Sequence, residues 1–236
     1  MQQIKLAGLN CVHVPGHPDS MHLIILHGYG ANCMDLAPLA RELQLPPDIN
    51  WYFPDGILEL MIGPGVTGRA WFPIDTMALQ AAIANGSYRE LTQIRPGGLD
   101  EAREKIEGLI QAIQVPLDRL ILGGFSQGAM LSTETALHLR QNPLGLILLS
   151  GTLLDKANWS TQAAARKGTR YFQSHGQQDP LLDPGAAREL NQIIKTAGWE
   201  GQLLEFQGGH ELPYQVLLQL REFILERHAE LSQRNQ

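Results

Sequence analysis

Residues 123–130 read GGFSQGAM, with Ser126 between Gly124 and Gly128 and one residue on each side. The pattern gains meaning from its flanks. Before it, LILGG is a short apolar run that reads as a buried strand. After it, QGAMLSTETALHLRQN reads as a helix, with Ala129, Leu131, Ala136, Leu137 and Leu139 available for packing. The serine therefore sits on a strand-to-helix turn. A turn this sharp forces Ser126 into a strained backbone conformation, and side chains at 124 and 128 would collide with the neighbouring strand and helix. The helix dipole behind Ser126 favours negative charge developing there.

A serine hydroxyl is a weak nucleophile without a base to take its proton. His210, in GGHEL (208–212), follows the candidate strand LLEF and fits that role. The base needs an acid to fix its tautomer. Asp179, in SHGQQDP (174–180), follows the candidate strand RYF. His27 is the rival base, and Asp155, Asp183 and Glu205 are rival acids. Ser126, Asp179, His210 is the chain order of the α/β-hydrolase arrangement, and each residue lies just past a strand, at the edge where open sheets bind ligands. Acyl transfer also needs N–H donors facing the carbonyl oxygen. The backbone amide of Gln127 is one. Tyr29, in LHGYGAN (26–32), supplies the second, with Gly28 and Gly30 turning its backbone toward the serine.

Apolar runs elsewhere alternate with amphipathic ones. HLIIL (22–26), WYFP (51–54), and runs near 119–123, 145–149, 169–173 and 202–206 read as strands. LDEAREKIEGLIQAIQ places Ile106, Leu109, Ile110 and Ile113 on one helical face, with Asp100 and Glu101 in its first turn. A helix is expected from Pro184 to about Gly198, and a long amphipathic one near the C-terminus. The expected fold is α/β, a mainly parallel sheet with helices on both faces. Residues 1–236 read as one domain. The stretch 56–98 is rich in glycine and weakly periodic, and is expected to form a lid-like excursion or pocket wall.

Taken together, LHGYGAN, WFPID (71–75), GGFSQGAM, HGQQDP (175–180) and GGHEL resemble the phospholipase/carboxylesterase group of α/β-hydrolases, whose best-known members are acyl-protein thioesterases. The resemblance implies a triad of Ser126, Asp179 and His210, with oxyanion donors Tyr29 and Gln127. Animal thioesterases usually carry Asp where this chain has Ala31, and an acid follows their WF where this chain has Pro73. Trp71 and Phe72 either wall an acyl pocket or pin the long loop to the core. The implied reaction is hydrolysis of a carboxylic ester. A thioesterase or lysophospholipase is the alternative within the fold, and a non-catalytic binding protein is the alternative outside it.

Composition narrows the partners. Eighteen Lys and Arg against 24 Asp and Glu give a net charge of −6, with no basic cluster to track nucleic acid. GPGVTG (63–68) matches a dinucleotide fingerprint, but RAWFP follows it, and Pro73 blocks the required helix. HVPGH (13–17) lacks the one-face geometry of a helical zinc pair. The expected partner is a small or lipid-like ester or thioester. The chemistry needs no metal or cofactor. Cys11 and Cys33 read as reduced thiols, and the N-terminus lacks a secretory pattern. No apolar stretch is long enough for an integral membrane segment, and the expected location is cytoplasmic.

Overall fold

The computed structural model describes residues 1–234. Asn235 and Gln236, the end of the expected 1–236 unit, lie outside the described residues.

The sheet is built from the apolar runs. β3 (His22–Leu26), β4 (Asn50–Pro54), β7 (Leu120–Phe125), β8 (Gly145–Leu149), β9 (Arg170–Gly176) and β10 (Glu200–Phe206) are all parallel to their neighbours in that set. β1 (Gln2–Leu6) and β2 (Leu9–Val14) add an antiparallel edge, giving the order β1-β2-β4-β3-β7-β8-β9-β10. That edge hairpin was not expected from the sequence. It turns at Ala7 and Gly8, with φ of 49° and 83°.

The two-residue period of a strand divides each apolar run between two cores. Ile24, Leu26, Leu122, Leu146 and Leu148 face one way. They pack on α3 (Leu99–Ile113), α4 (Gln127–His138), α5 (Lys156–Ala164) and α6 (Pro184–Thr196). Leu23, Ile25, Ile121, Ile147 and Leu149 face the other way, onto α1 (Leu39–Glu42) and α7 (Tyr214–Arg234). Each such fully buried Leu or Ile stabilises the fold by about 1.5–3 kcal/mol. This is the mainly parallel, two-sided sheet expected above. On α3 the expected face is buried at Ile106, Leu109 and Ile110, with Ile113 partly buried beside it. α6 starts as its sequence suggests: Pro184 occupies the first turn, and the Asp183 side chain accepts from Gly185 N–H at 2.7 Å.

Residues 56–98 are more regular than expected. They form a hairpin, β5 (Leu58–Gly63) and β6 (Val66–Ala70), and α2 (Thr76–Ala84). The Asp75 side chain caps α2 by accepting from Ala78 N–H at 2.9 Å. GPGVTG spans the hairpin turn and the start of β6 rather than a strand-to-helix junction; Gly65, at φ 72°, serves the turn. Met61 is 75% exposed on that hairpin.

Candidate active site

β7 delivers Ser126 to the sheet rim at φ 55° and ψ −118°, a region that non-glycine residues rarely occupy. Holding it there costs about 1–3 kcal/mol, which the surroundings must offset. They do so sterically. A Cβ on Gly128 would lie 2.1 Å from Leu26 O, and one on Gly124 would lie 2.5 Å from the Gly128 carbonyl carbon. Both glycines are required by close backbone approach, as the sequence suggested. Ser126 N–H donates to Leu149 O at 2.8 Å, tying the turn to β8. Gln127 follows at the first position of α4, where an amide has no acceptor within its own helix.

The acid and base meet on the two adjacent strand ends. Asp179 is fully buried after β9, and His210 is half-buried after β10. His210 Nδ1 donates to Asp179 Oδ2 at 2.6 Å. Asp179 Oδ1 accepts from the amides of Leu181 and Leu182 at 2.8 and 3.1 Å. Burial pushes this carboxyl up. The His210 hydrogen bond, the His210 charge and the two amides outweigh that and hold it below the usual carboxylate range. With Nδ1 committed to Asp179, the neutral His210 presents Nε2 as a proton acceptor. The loops carrying the pair pack backbone to backbone, since a Cβ on Gly176 would lie 2.1 Å from Gly209 O.

Asp179 and His210 are thus brought together. His210 also lies against Phe125, the residue before Ser126, with ring centroids 4.8 Å apart. Among the described residues no hydrogen bond joins Ser126 to His210. The rival acids are occupied elsewhere: Asp155 pairs with Arg95 at 3.2 Å, Asp183 caps α6, and Glu205 pairs with Arg188 at 2.8 Å. One neighbour went unread in the sequence. His175 Nε2 lies 3.4 Å from Asp179 Oδ2 and donates to Leu182 O at 3.2 Å.

The loop after β3 reaches the serine closely. A Cβ on Gly28 would stand 3.4 Å from Ser126 Cβ. His27 is buried and acts as a strut rather than a base. Its Nδ1 donates to Gly28 O at 2.7 Å, and its Nε2 accepts from Gly56 N–H at 2.9 Å. Only the neutral ring can do both, and burial lowers its affinity for a second proton. β6 braces the same loop. Gly30 N–H donates to Arg69 O at 2.8 Å, and Arg69 N–H donates to Ala31 O at 2.7 Å. Tyr29 lies between these ties, and among the described residues its amide has no protein acceptor.

Trp71 and Phe72 differ in their surroundings. Trp71 is fully buried and pins the loop: Nε1 donates to His27 O and N–H donates to Gln127 Oε1, both at 2.9 Å. Trp71 therefore does not face a pocket. Phe72 is placed differently. Its carbonyl accepts from Gln127 Nε2 at 2.7 Å, and it lines an apolar groove of about 560 Å³. Pro73, Ala78, Leu91, Met130 and Leu154 also line that groove. The Gln127 side chain is a functional feature missed at the sequence level. Its trace was the co-occurrence of GFSQG with a WF loop.

A family model described as Phospholipase/Carboxylesterase matches residues 8–228. The chain belongs to the phospholipase/carboxylesterase family. It is a hydrolase of that family. Acyl-protein thioesterase 1 of Cryptococcus neoformans var. neoformans is 26% identical over 198 residues, covering 80% of each chain. Acyl-protein thioesterase 1 of Candida albicans is 25% identical over 207 residues, covering 81% of this chain and 85% of that one. The crystal structure of esterase PE8 superposes with a TM-score of 0.78 at 24% identity, over 94% of this chain and 99% of that one. The fold is the α/β-hydrolase fold of this family. Among the described residues no helix is long and apolar enough to cross a membrane.

Proposed function

We propose that Ser126 attacks the carbonyl carbon of a carboxylic ester while His210 Nε2 takes the hydroxyl proton. The backbone amides of Tyr29 and Gln127 hold the oxyanion. Asp179 stabilises the imidazolium, which returns the proton to the departing alcohol oxygen. The C–O bond to the alcohol breaks and an acyl-Ser126 ester remains. A water, deprotonated by the same histidine, then releases the carboxylic acid and restores the serine. The cycle needs no metal or organic cofactor. The observation that carries this reading is the 2.6 Å Asp179–His210 bond beside a serine held at φ 55°.

In this reading residues 1–236 act as a single domain, and 56–98 form the acyl-side wall rather than a free lid. The groove beneath that wall adjoins the site. Met130 N–H donates to Ser126 O at 3.2 Å, and Tyr88 OH donates to Asp179 O at 2.9 Å. The acyl chain lies there, against Phe72. A cytoplasmic location agrees with two buried free thiols at Cys11 and Cys33.

The same residues cleave a thioester equally well in principle. The names of the curated relatives favour that second reading, and a matched panel of esters and thioesters decides between them. The test of the serine is direct. A fluorophosphonate probe is expected to label the protein, and Ser126→Ala is expected to lose both labelling and at least about 10³-fold in kcat while staying folded. Near-normal turnover by Ser126→Ala would remove the assignment. An absence of labelling and turnover in the unaltered protein would favour a binding role.

A further inference from the structure

The groove beside Ser126 is apolar but carries one cation. Arg89 lines it among Phe72, Ile74, Leu91, Ile94 and Met130. The side chain is half-buried, and its Nε is shut off from solvent with no hydrogen-bond partner. No carboxylate lies within ion-pair distance of it among the described residues. Arg69, Arg103 and Arg227 also have a buried Nε without a partner, but each pairs with a carboxylate through another nitrogen, and Arg95 pairs with Asp100, Glu134 and Asp155. The acids that share the groove with Arg89 are engaged elsewhere. Asp75 caps α2, and Glu90 accepts from Thr92 N–H at 2.6 Å. A guanidinium left unpaired in an apolar wall has given up part of its hydration without a matching partner. Consistent with that, burial lowers its proton affinity, and the field of Asp75 opposes the shift only in part.

We propose that Arg89 receives an anionic oxyacid group at the acyl end of the substrate, so that the preferred substrates are esters of acyl groups carrying a second, charged acid. This rests on the reading of Ser126 as nucleophile and of the groove as the acyl site. The apolar lining takes the methylene chain. The guanidinium, with its planar fork of donors, takes a carboxylate or a phosphate-type end. Arg89 is a binding residue in this account and takes no part in the proton transfers.

The test compares the nitrophenyl monoester of adipic acid with the nitrophenyl ester of methyl adipate, which has the same chain length without the charge. A third ester ends in a phosphonate, and separates a carboxylate from a phosphate preference. The ratio of kcat/KM for the acid-ended ester to that for the methyl-capped one is expected to exceed unity in the unaltered protein. In Arg89→Leu that ratio is expected to fall about tenfold to a hundredfold, with partial recovery in Arg89→Lys. An unchanged ratio in Arg89→Leu overturns the proposal, as does a loss of thermal stability alone with no change in preference. Should Arg89→Leu not fold, Arg89→Gln, which removes the charge but keeps a polar end, serves in its place. Calorimetric binding of adipate to Ser126→Ala, with and without Arg89→Leu, needs no turnover. It tests Arg89 even if the nucleophile assignment fails, and the two failures remain distinguishable.

Discussion

The proposed catalytic rim and the wall that faces it are built by different physics. At the rim, position is set by backbone touching backbone. Gly124, Gly128 and Gly176 each lie where a single added carbon would overlap a main-chain atom. The wall from 56 to 98 hangs mostly on side-chain hydrogen bonds: Trp71 to His27, Gln127 to Trp71 and Phe72, and Tyr88 to Asp179. It also presents apolar side chains to solvent, with Met77 81% and Met61 75% exposed. Contacts of the first kind tolerate almost no substitution. Those of the second kind can be exchanged one at a time for about 1 kcal/mol each. The chemistry of this fold is therefore fixed more tightly than its specificity.

Three substitutions probe that contrast. The largest effect is expected at the rim. Asp179→Asn removes the charge that orients and stabilises His210, and kcat is expected to fall on the order of 10³- to 10⁴-fold, measured on a simple nitrophenyl ester. A loss below tenfold would mean that another acid serves His210. Next is a place where the wall is built like the rim. A Cβ on Gly68 would lie 2.1 Å from Gly30 O, so Gly68→Ala must push the Tyr29 loop. The expected loss is about 10²-fold, in kcat more than in KM, as for a displaced oxyanion donor. If KM alone rises, the loop is a substrate contact and not an oxyanion support. The smallest effect belongs to a side-chain tie. Tyr88→Phe removes one hydrogen bond to Asp179 O and is expected to cost about 1 kcal/mol of stability, read as a small drop in Tm, with kcat/KM altered a few-fold at most. A rate loss comparable to Asp179→Asn would erase the distinction between rim and wall.

The same contrast decided what was legible in the sequence. β3, β7 and β8 are buried on both faces and so read as unbroken apolar runs. The elbow serine could be placed because it follows such a run, and Asp179 and His210 because each follows a shorter apolar stretch, in β9 and β10. β1 and β2 went unread because β1 lies at the sheet edge and is exposed along most of its length. Its turn signal, LAGLN, was present but had no alternating partner strong enough to support it. The β5–β6 hairpin was obscured by its glycines and by apolar residues that face solvent. Those residues carry no core-facing period. Asp75 followed three residues later by Ala78 gave only a weak start signal for α2. Trp71 illustrates a different limit. A large aromatic in a loop serves a pocket and a core equally well on paper, and only its two hydrogen bonds, to His27 O and Gln127 Oε1, separate the two. Arg89 was invisible for the converse reason: nothing in a sequence marks an arginine that lacks a partner.

The two hydrogen bonds of the Gln127 side chain, from Trp71 N–H and to Phe72 O, have a practical corollary. Because one buried amide clamps the wall just after β6 to the first turn of α4, the polypeptide downstream of that clamp is a natural cassette. Segments grafted between Pro73 and Pro96 from other members of the family should redirect acyl preference while the reaction machinery is inherited intact, provided the glutamine and the two residues it grips travel together.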